Sequence, residues 1–269
     1  MKHYKKVLTI AGSDSGGGAG IQADIKTISA CGCYAMSAIT AITAQNTVGV
    51  SGIHNVPADM VAAQIAAVLE DIGADAVKLG ILPTEASVVA IAGLLKKYEV
   101  TNVVLDPVMV STSGSRLIDE PAAEAIRTHL FPLATVVTPN IPETEYLTGL
   151  KIGSEADFAD AAVAMSQQRV QAVLFKAGHL DGKMLTDYLF DNEKLIRSYR
   201  YDRINTLNTH GTGCSLSSAI ASYLALEYPL AEAVQLAENY LHKAILNGCE
   251  YRLGHGHGPV HHFYKWWAE

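Results

Sequence analysis

The sequence predicts an α/β fold of three layers, α/β/α, in which helices cover both faces of a mainly parallel central sheet. Short β-branched segments alternate with longer amphipathic segments along the chain, which is the pattern of βαβ units. Glycine and polar residues follow several of the apolar segments, as expected where parallel strands end at a ligand site. No internal repeat, low-complexity linker or change in composition divides the chain, so residues 1–269 are predicted to form a single domain.

The predicted elements follow one another in the order that this fold requires. Segment 34–44 is apolar almost throughout, which indicates a strand buried on both faces. Pro229 separates the last two helices, because the residue before a proline disfavours the helical conformation. The predicted strands are 7–10, 34–44, 76–79, 103–105, 135–137 and 172–175, and the predicted helices are 20–30, 85–97, 121–129, 155–168, 213–227 and 230–247.

Composition excludes several classes of protein. The 269 residues are 49% hydrophobic, which is enough for a large core, and their formal net charge of −7 comes without the clustered Lys and Arg that nucleic acid requires. The four cysteines form neither a C-x-x-C pair nor a dense disulfide pattern, which favours a reducing compartment. The apolar segment near the N-terminus is too short to span a bilayer. We therefore expect a cytoplasmic protein with no nucleic-acid or membrane partner.

A glycine-rich turn, residues 12–20, follows the first predicted strand. It lacks the spacing of a P-loop or of a dinucleotide-binding turn, so its glycines allow either a tight turn or the close approach of a flat ligand. Asp24 lies in the first turns of the next helix, where its carboxylate is expected to face the pocket or to interact with the helix dipole. The turn and Asp24 thus each have a structural and a ligand-binding interpretation.

Oxygen ligands follow two later strands. Asp106 comes directly after 103–105, and Asn140 and Glu143 come after 135–137. Carboxylates at strand ends are the hard ligands that Mg²⁺ needs when it binds phosphates. Taken singly, each residue also suits a helix cap or the protein surface. Taken together, Asp106 and Glu143 indicate a Mg²⁺ site.

The segment Asn208-Thr209-His210-Gly211-Thr212-Gly213-Cys214-Ser215 lies directly before a helix of small residues. Its glycines permit consecutive backbone N–H groups to converge at the helix N-terminus, where free donors and the helix dipole favour an anion. Such a pocket stabilises a phosphoryl group during transfer. The same field is expected to lower the pKa of the Cys214 thiol, so that part of it is thiolate near neutral pH. The alternative is a buried cysteine that only packs.

Two further groups of charged or metal-binding side chains remain open to interpretation. Lys176 ends the strand 172–175 and either binds phosphate as a point charge or extends to solvent. Four histidines lie within residues 255–262, and imidazole is a common metal ligand. Flanking glycines and the absence of acidic neighbours favour a solvent-facing loop for this segment.

Seven motifs stand in order along the chain, at 8–14, 17–24, 44–47, 102–109, 138–140, 208–214 and 258–262. Together they resemble the hydroxymethylpyrimidine kinase and phosphomethylpyrimidine kinase family of thiamine biosynthesis, within the ribokinase-like superfamily. The resemblance implies a ribokinase-like fold and two uses of ATP as co-substrate. The first phosphorylates the hydroxymethyl group of the pyrimidine, and the second adds a phosphate to the monophosphate. It also implies a homodimer.

The resemblance assigns roles to individual residues. It implies that the Gln45 amide binds the aminopyrimidine edge, with Gly12 and Asp24 completing that pocket. It implies that Asp106 and Glu143 hold Mg²⁺. The remaining assignments are Gly211, Thr212, Gly213 and Cys214 at the transferring phosphate, with Cys214 as a possible base for the hydroxymethyl proton, and Lys176 and Thr209 at the nucleotide. Ile81 stands where close relatives are expected to have methionine.

Two rival functions follow from the same residues. A pyridoxal or pyridoxine kinase would also phosphorylate the hydroxymethyl group of a flat six-membered ring. Gln45 argues against it, because pyridoxal lacks the aminopyrimidine edge. A non-catalytic pyrimidine sensor would keep the pocket without the chemistry. Asp106, Glu143 and Lys176 argue against a sensor, since a protein that only binds the pyrimidine has no use for phosphate-binding groups.

Overall fold

The structure is a computed structural model that describes residues 2–109, 118–178 and 183–267. Its strands and helices alternate through most of the chain. The strands are β1 (Lys6–Asp14), β2 (Tyr34–Gln45), β3 (Val50–Asn55), β4 (Ala76–Leu79), β5 (Val103–Leu105), β6 (Val136–Val137), β7 (Ala172–Phe175), β8 (Met184–Asp191) and β9 (Lys194–Asp202). The helices are α1 (Gly20–Ala30), α2 (Ala58–Asp71), α3 (Glu85–Lys97), α4 (Glu120–Ala125), α5 (Ile141–Thr148), α6 (Asp157–Gln167), α7 (Thr212–Ala225) and α8 (Leu230–Gly248), and α4 continues into a π-helical turn, Ile126–Leu130.

The nine described strands form one sheet in the order β3-β2-β1-β4-β5-β6-β7-β8-β9. The central strands from β2 to β7 are parallel, whereas β3, β8 and β9 pair antiparallel at the two edges. The chain leaves β1 toward β2 and later returns to the other side of β1 as β4. Ligands of open α/β sheets bind at such a reversal, outside the carboxyl ends of the strands.

The side chains of the central strands alternate between two apolar layers, as the two-residue period of a strand requires. Leu8 and Val103 pack with α2 to α6 on one face, whereas Val7 and Val104 pack with α1, α7 and α8 on the other. All four side chains are completely buried. This arrangement confirms the predicted α/β/α class with a mainly parallel sheet. None of the helices in the described ranges has the length and apolar character needed to cross a membrane.

Some element boundaries match the sequence prediction, and others differ from it. The helices predicted at 20–30 and 85–97 match α1 and α3 at both ends. Strand β1 does not end at Ile10, however, but continues to Asp14, because Asp14 still pairs with Thr43 beyond an irregularity in the ladder. The first half of the glycine-rich turn therefore belongs to the sheet.

Four regions of secondary structure were not predicted from the sequence: strand β3, helix α2, helix α5 and the β8–β9 hairpin. Strand β3 has five exposed residues out of six, so it carries no alternation of apolar and polar residues. Helix α2 buries Val61, Ile65 and Leu69, a four-residue spacing that was available as a signal. The β8–β9 hairpin turns at Asn192 and Glu193, where Asn192 has a positive φ of 51°. The hairpin extends the sheet beyond its parallel part and forms one wall of the cavity described next.

Candidate active site

A cavity of about 940 Å³ lies at the carboxyl ends of the parallel strands. It reaches from Gln45 at the end of β2 to Ile245 on α8, and Ile81 also lines it. The structure brings together nearly all of the residues predicted from the sequence. Those that line the cavity are Gly12, Gln45, Asp106, Glu143, Lys176, Thr209, Gly211, Thr212, Gly213 and Cys214.

Helix α7 begins at the cavity wall and presents its N-terminus to it. Gly211 precedes the helix with a φ of +79°, which an L side chain rarely adopts, and a Cβ at this position would collide with the carbonyl oxygen of Gly18. No side chain among the described residues caps the helix, so its first-turn N–H groups have no side-chain acceptor. The helix dipole adds positive potential at the same point. The local structure therefore suits an anion such as a phosphoryl group.

The Cys214 thiol does not have the lowered pKa that the helix N-terminus predicted. Burial raises its pKa to about 11, and the carboxylates of Asp24 and Asp106 act in the same direction. Lys78 and the backbone N–H of Gly20 oppose the rise without cancelling it. The prediction of a partial thiolate at neutral pH is thus wrong for the protein without ligands, because desolvation of the charged form outweighs the field of the helix.

Asp24 does not line the cavity, contrary to the expectation that its carboxylate faces the pocket. Asp24 and Lys78 are both fully buried, and Lys78 Nζ lies 3.0 and 2.9 Å from the two carboxylate oxygens. Thr9 and Ser218 donate their hydroxyl groups to the same oxygens at 2.6 and 2.7 Å. Because Ser218 is one turn beyond Cys214 on α7, this cluster joins α7 to α1, β1 and β4. Asp24 therefore supports the site by holding α7 in position, without contacting the cavity.

Asp106 and Lys176 form the most polar part of the cavity wall. Lys176 Nζ lies 2.9 Å from Asp106 Oδ1, and Thr138 donates to the same oxygen at 3.2 Å. Burial acts to raise the pKa of Asp106, but the charges of Lys176 and Lys78 outweigh it and the pKa is lowered. The pKa of Lys176 is raised despite its burial, because Asp106 and Glu143 lie nearby. Without a ligand, Asp106 is thus an anion neutralised by Lys176.

Glu143 combines a structural role with a place in the cavity. Its backbone N–H donates to Asn140 Oδ1 at 2.9 Å, and its Oε2 accepts the Asn140 N–H at 2.8 Å, which is a capping box at the start of α5. Burial raises the pKa of Glu143 to about 7, and Asp106 adds to the rise while Lys176 opposes it. The helix-cap interpretation of this residue is correct, and the residue still faces the site.

The donor set at this point fits Mg²⁺ bound together with phosphate. Asp106 and Glu143 supply hard carboxylate oxygens in one cavity, and each disfavours ionisation of the other, so a divalent cation would relieve their repulsion. Within residues 2–109, 118–178 and 183–267, no cluster of three or more His, Cys, Asp or Glu is arranged as a metal cage. Two carboxylates with water and phosphate ligands are what Mg²⁺ ordinarily uses at such sites.

Three side chains meet at the opposite end of the cavity, near the glycine-rich turn. His210 Nε2 lies 2.9 Å from Asp14 Oδ2 and 3.3 Å from the amide of Gln45. Asp14 also accepts backbone N–H groups from Gly16 and Ala19, each at 2.8 Å. Burial acts to raise the pKa of Asp14, but the hydrogen bonds from His210 and the backbone outweigh it, so the pKa is lowered. Gln45 therefore has a charged and hydrogen-bonded neighbour pair directly beside it.

The rest of the cavity extends along β8, β9 and α8. Tyr201, His242 and Ile245 supply aromatic and apolar surface there. Asp187 and Glu238 are hydrogen-bonded to each other, and burial raises the pKa of both carboxyl groups. Glu238 Oε1 has no hydrogen-bond partner among the described residues. A neutral Glu238 that donates its proton to Asp187 is the arrangement that these two pKa directions favour.

Several residues in or beneath the site were missed in the sequence, and three of them had left a signal. Lys78 is a lone charge within the apolar segment 76–79, and Asp14 and His210 lie inside the two glycine-containing segments already singled out. The C-terminal histidines are divided by the structure. His255 and His257 are exposed, as predicted, whereas His262 is buried and its Nε2 lies 3.1 Å from the Ser215 hydroxyl.

Known proteins resemble this chain over nearly its whole length. It matches the phosphomethylpyrimidine kinase family over residues 14–261. It is 50% identical to the hydroxymethylpyrimidine/phosphomethylpyrimidine kinase of Rhizobium meliloti (strain 1021), over 97% of this chain and 98% of that protein. A crystal structure of phosphomethylpyrimidine kinase from Clostridium difficile 630 is 46% identical, with a TM-score of 0.78 over 89% of this chain and 99% of that one.

A second solved structure shares the architecture at lower identity. The ADP complex of Bacillus subtilis pyridoxal kinase is 35% identical and has a TM-score of 0.89, over 97% of this chain and 98% of that one. The overall fold is thus common to kinases with different ring substrates. From the family match, the identity and the coverage, we conclude that the chain belongs to the phosphomethylpyrimidine kinase family and has the ribokinase-like fold.

Proposed function

We propose that this protein phosphorylates 4-amino-5-hydroxymethyl-2-methylpyrimidine with ATP, and then its monophosphate to the diphosphate, in thiamine biosynthesis. The observation that carries the proposal is one cavity with an amide at one end and phosphate-binding groups beside it. Gln45 can pair with an aminopyrimidine edge, and the α7 N-terminus with Lys176 can bind the phosphates. Relatives at up to half identity are named for this reaction.

The substrate end of the cavity is assigned to Gln45 and Gly12. The Gln45 amide offers one donor and one acceptor, which matches a ring nitrogen and the adjacent amino group. Gly12 lines the cavity beside Ile81, whose Cδ1 would lie 3.5 Å from any Cβ placed at Gly12. A side chain at Gly12 would therefore take up space that the flat ring needs. Asp24 contributes indirectly, through the buried cluster under α7.

Phosphoryl transfer in this site depends on positioning and charge. The backbone N–H groups of Gly211, Thr212, Gly213 and Cys214 are assigned to the transferring phosphoryl group, and Lys176 and Thr209 to the nucleotide phosphates. Lys176 is suited to this role because its ammonium group already lies between Asp106 and the start of α7. Cys214 is assigned the hydroxymethyl proton. Only its thiolate can accept that proton, so this assignment requires turnover that rises with pH.

Asp106 and Glu143 are assigned to Mg²⁺. When bound, the ion would neutralise charge on the phosphate oxygens. Lys176 contacts Oδ1 of Asp106 at 2.9 Å, so Oδ2 of the same carboxylate is the oxygen assigned to the ion or to one of its water ligands. Glu143 must be ionised, which its pKa of about 7 allows at neutral and higher pH.

A pyridoxal kinase is the second candidate function, because pyridoxal kinases share this fold with TM-scores up to 0.89. Their identity to this chain is 34–35%, against 50% for the pyrimidine kinase of Rhizobium meliloti. Gln45 also favours the pyrimidine, since its amide would face a pyridoxal ring without an amino group to bind. The pyrimidine is therefore the preferred substrate.

The same proposal includes a cytoplasmic homodimer. The cysteines Cys31, Cys33, Cys214 and Cys249 are all free, which suits a reducing compartment. Ile42 on β2 and Ile53 on β3 are 51% and 45% exposed, but the register pairs Ile42 with His54 and Ile53 with Thr43, so the two isoleucines lie on opposite faces of this sheet edge. Each face therefore offers one exposed isoleucine to a second copy. Light scattering is expected to give twice the mass of one chain. The mass of one chain would contradict the dimer without affecting the activity.

Product analysis by mass spectrometry tests the reaction directly. After incubation with the pyrimidine alcohol and Mg-ATP, products that carry one and then two phosphoryl groups are expected. Steady-state kinetics with pyridoxal under the same conditions provides the comparison. A kcat/KM for pyridoxal equal to or above that for the pyrimidine would favour the second function, and ADP release that does not depend on either alcohol would indicate a protein without kinase activity on them.

A further inference from the structure

Hydrogen-bond directions at the substrate end of the cavity can be assigned atom by atom. The Asp14 carboxylate accepts three backbone N–H groups at 2.8 to 3.0 Å, and Oδ2 also lies 2.9 Å from His210 Nε2. A carboxylate surrounded by donors is ionised and can only accept hydrogen bonds. His210 Nε2 therefore carries a hydrogen atom and donates it to Asp14. The tautomer of His210 is set by this contact.

The orientation of the Gln45 amide follows from its two neighbours. The amide lies between His210 Nε2, at 3.3 Å, and Thr43 Oγ1, at 3.1 Å. His210 Nε2 has one hydrogen, directed at Asp14, and no free lone pair, so the amide end toward His210 cannot donate to it and can only accept a share of that hydrogen. Thr43 has one hydroxyl hydrogen for two neighbouring oxygens, and the Ser13 carbonyl is nearer, at 2.8 Å against 3.1 Å for the amide. With its hydrogen on Ser13, Thr43 can accept from the amide but not donate to it.

Both neighbours thus require the same orientation, with the Gln45 oxygen toward His210 and the NH₂ group toward Thr43. With Nε2 toward His210, as the structure has it, two N–H donors would oppose each other. A half-turn of the amide about its last bond removes this conflict at both ends. The nitrogen and oxygen of an amide are distinguished by their partners in this way.

This orientation determines which way the substrate ring lies. The amino group of the pyrimidine must face the Gln45 oxygen, and the adjacent ring nitrogen must face the NH₂ group. The hydroxymethyl group is attached next to the carbon that bears the amino group. It is therefore directed toward His210, and residues 211–214, which directly follow His210 in the chain, line the same cavity. The opposite amide orientation would turn the hydroxymethyl group away from that segment.

We propose that His210, held by Asp14, is a positioning residue that fixes the Gln45 amide and so directs the hydroxymethyl group toward Cys214. The inference rests on the proposed pyrimidine substrate. It also explains why position 18 is glycine, because a Cβ there would collide with Cδ2 of the His210 ring. His210 acts through Gln45 and need not touch the reacting atoms.

An analogue with a carbonyl oxygen in place of the amino group tests the orientation in the unaltered protein. Its oxygen would face the Gln45 oxygen and its ring N–H would face the NH₂ group, so both contacts would be mismatched. A fixed amide is expected to give a kcat/KM preference of about 100-fold or more for the amino alcohol. Equal use of the two alcohols would overturn the proposal, whether or not any variant folds.

Variants of His210 test its role in that preference. His210→Leu removes the donor, so Gln45 can turn and the preference is expected to fall about tenfold or more. The loss for the amino alcohol should appear mainly in kcat, since the ring can still bind in the wrong direction. His210→Gln keeps an N–H donor and is expected to retain part of the substrate preference and part of the kcat that His210→Leu loses. His129→Leu, outside the cavity, serves as the matched control and is expected to behave as the parent protein.

A double-mutant cycle separates positioning from a general structural effect. In a Gln45→Met background there is no amide to fix, so adding His210→Leu is expected to lower turnover no further. Additive losses would overturn the proposal. Different results would refute the proposed function and the role of His210. Absence of pyrimidine phosphorylation by the parent protein would refute the proposed function, whereas phosphorylation with additive losses would refute only the role of His210.

Discussion

The buried ion pair between Lys78 and Asp24 gives the most decisive test of how the site is supported. Both side chains are completely buried, with 2.9 Å between Lys78 Nζ and Asp24 Oδ2. Lys78→Met keeps the side chain as far as Cε and removes the charged ammonium group. Among the residues that the structure describes, it leaves the buried Asp24 carboxylate with the Thr9 and Ser218 hydroxyls as side-chain donors. Removing one partner of a buried pair typically costs about 3 to 5 kcal/mol.

The expected loss is a large part of the stability of a typical domain, which is about 5 to 15 kcal/mol. Urea denaturation followed by circular dichroism is expected to show a midpoint lowered by roughly 1 to 2 M at an unchanged slope. Lys151→Met is the matched control, because Lys151 also lies 2.9 Å from a carboxylate, that of Glu145, but its side chain is 90% exposed. That control is expected to cost no more than about 1 kcal/mol.

A second substitution distinguishes the charge from the packing. In Lys78→Met/Asp24→Asn, neither of these two positions carries a buried charge, and the asparagine side chain can still bond to Thr9 and Ser218. The double variant is expected to recover at least half of the lost stability. Equal losses from Lys78→Met and Lys151→Met, or a double variant less stable than Lys78→Met, would show that the buried charges are not what holds α7 against the sheet.

Three further predictions concern the reacting end of the cavity. If Cys214 accepts the proton, turnover is expected to rise with pH between about 7 and 9, since the thiolate fraction grows about tenfold per pH unit below a pKa of about 11. Cys214→Ala should lower kcat about 100-fold or more and remove this pH dependence, whereas a pH-independent kcat in the parent protein would exclude the role. The Mg²⁺ concentration for half-maximal activity is expected to increase below pH 7, because protonated Glu143, with a pKa of about 7, cannot bind the ion. Glu143→Gln should remove this pH dependence, and a variant that keeps the pH dependence of the parent protein would place the ion elsewhere. Gly211→Ala is expected to lower both turnover and stability, because its Cβ would collide with Gly18. Gly32 also has a positive φ, of +89°, but open space around it, so Gly32→Ala should lose only about 1 kcal/mol of stability and no turnover; equal turnover losses in the two variants would contradict the collision.

Much of the fold was accessible from the sequence because it depends on local patterns. The spacing of apolar residues gave both ends of α1 and α3, and the glycines of the Asn208 to Cys214 segment gave the N-terminus of α7. Strand β3 was missed because its side chains face solvent and therefore show no apolar alternation. Strand β1 was cut short because its last residues are held by the register with β2, which the local sequence does not encode.

The sequence by itself determined the layers of the fold, the glycine-containing start of α7 and ten of the residues that line the cavity. Only the tertiary structure decided which of those residues are paired. Asp24 meets Lys78 from 54 positions away, and Asp14 meets His210 from 196 positions away. Burial likewise decided that the pKa of Cys214 is raised and not lowered. Backbone preferences act over a few residues, whereas the energy of a charge depends on every group packed around it, and those neighbours come together only in the folded chain.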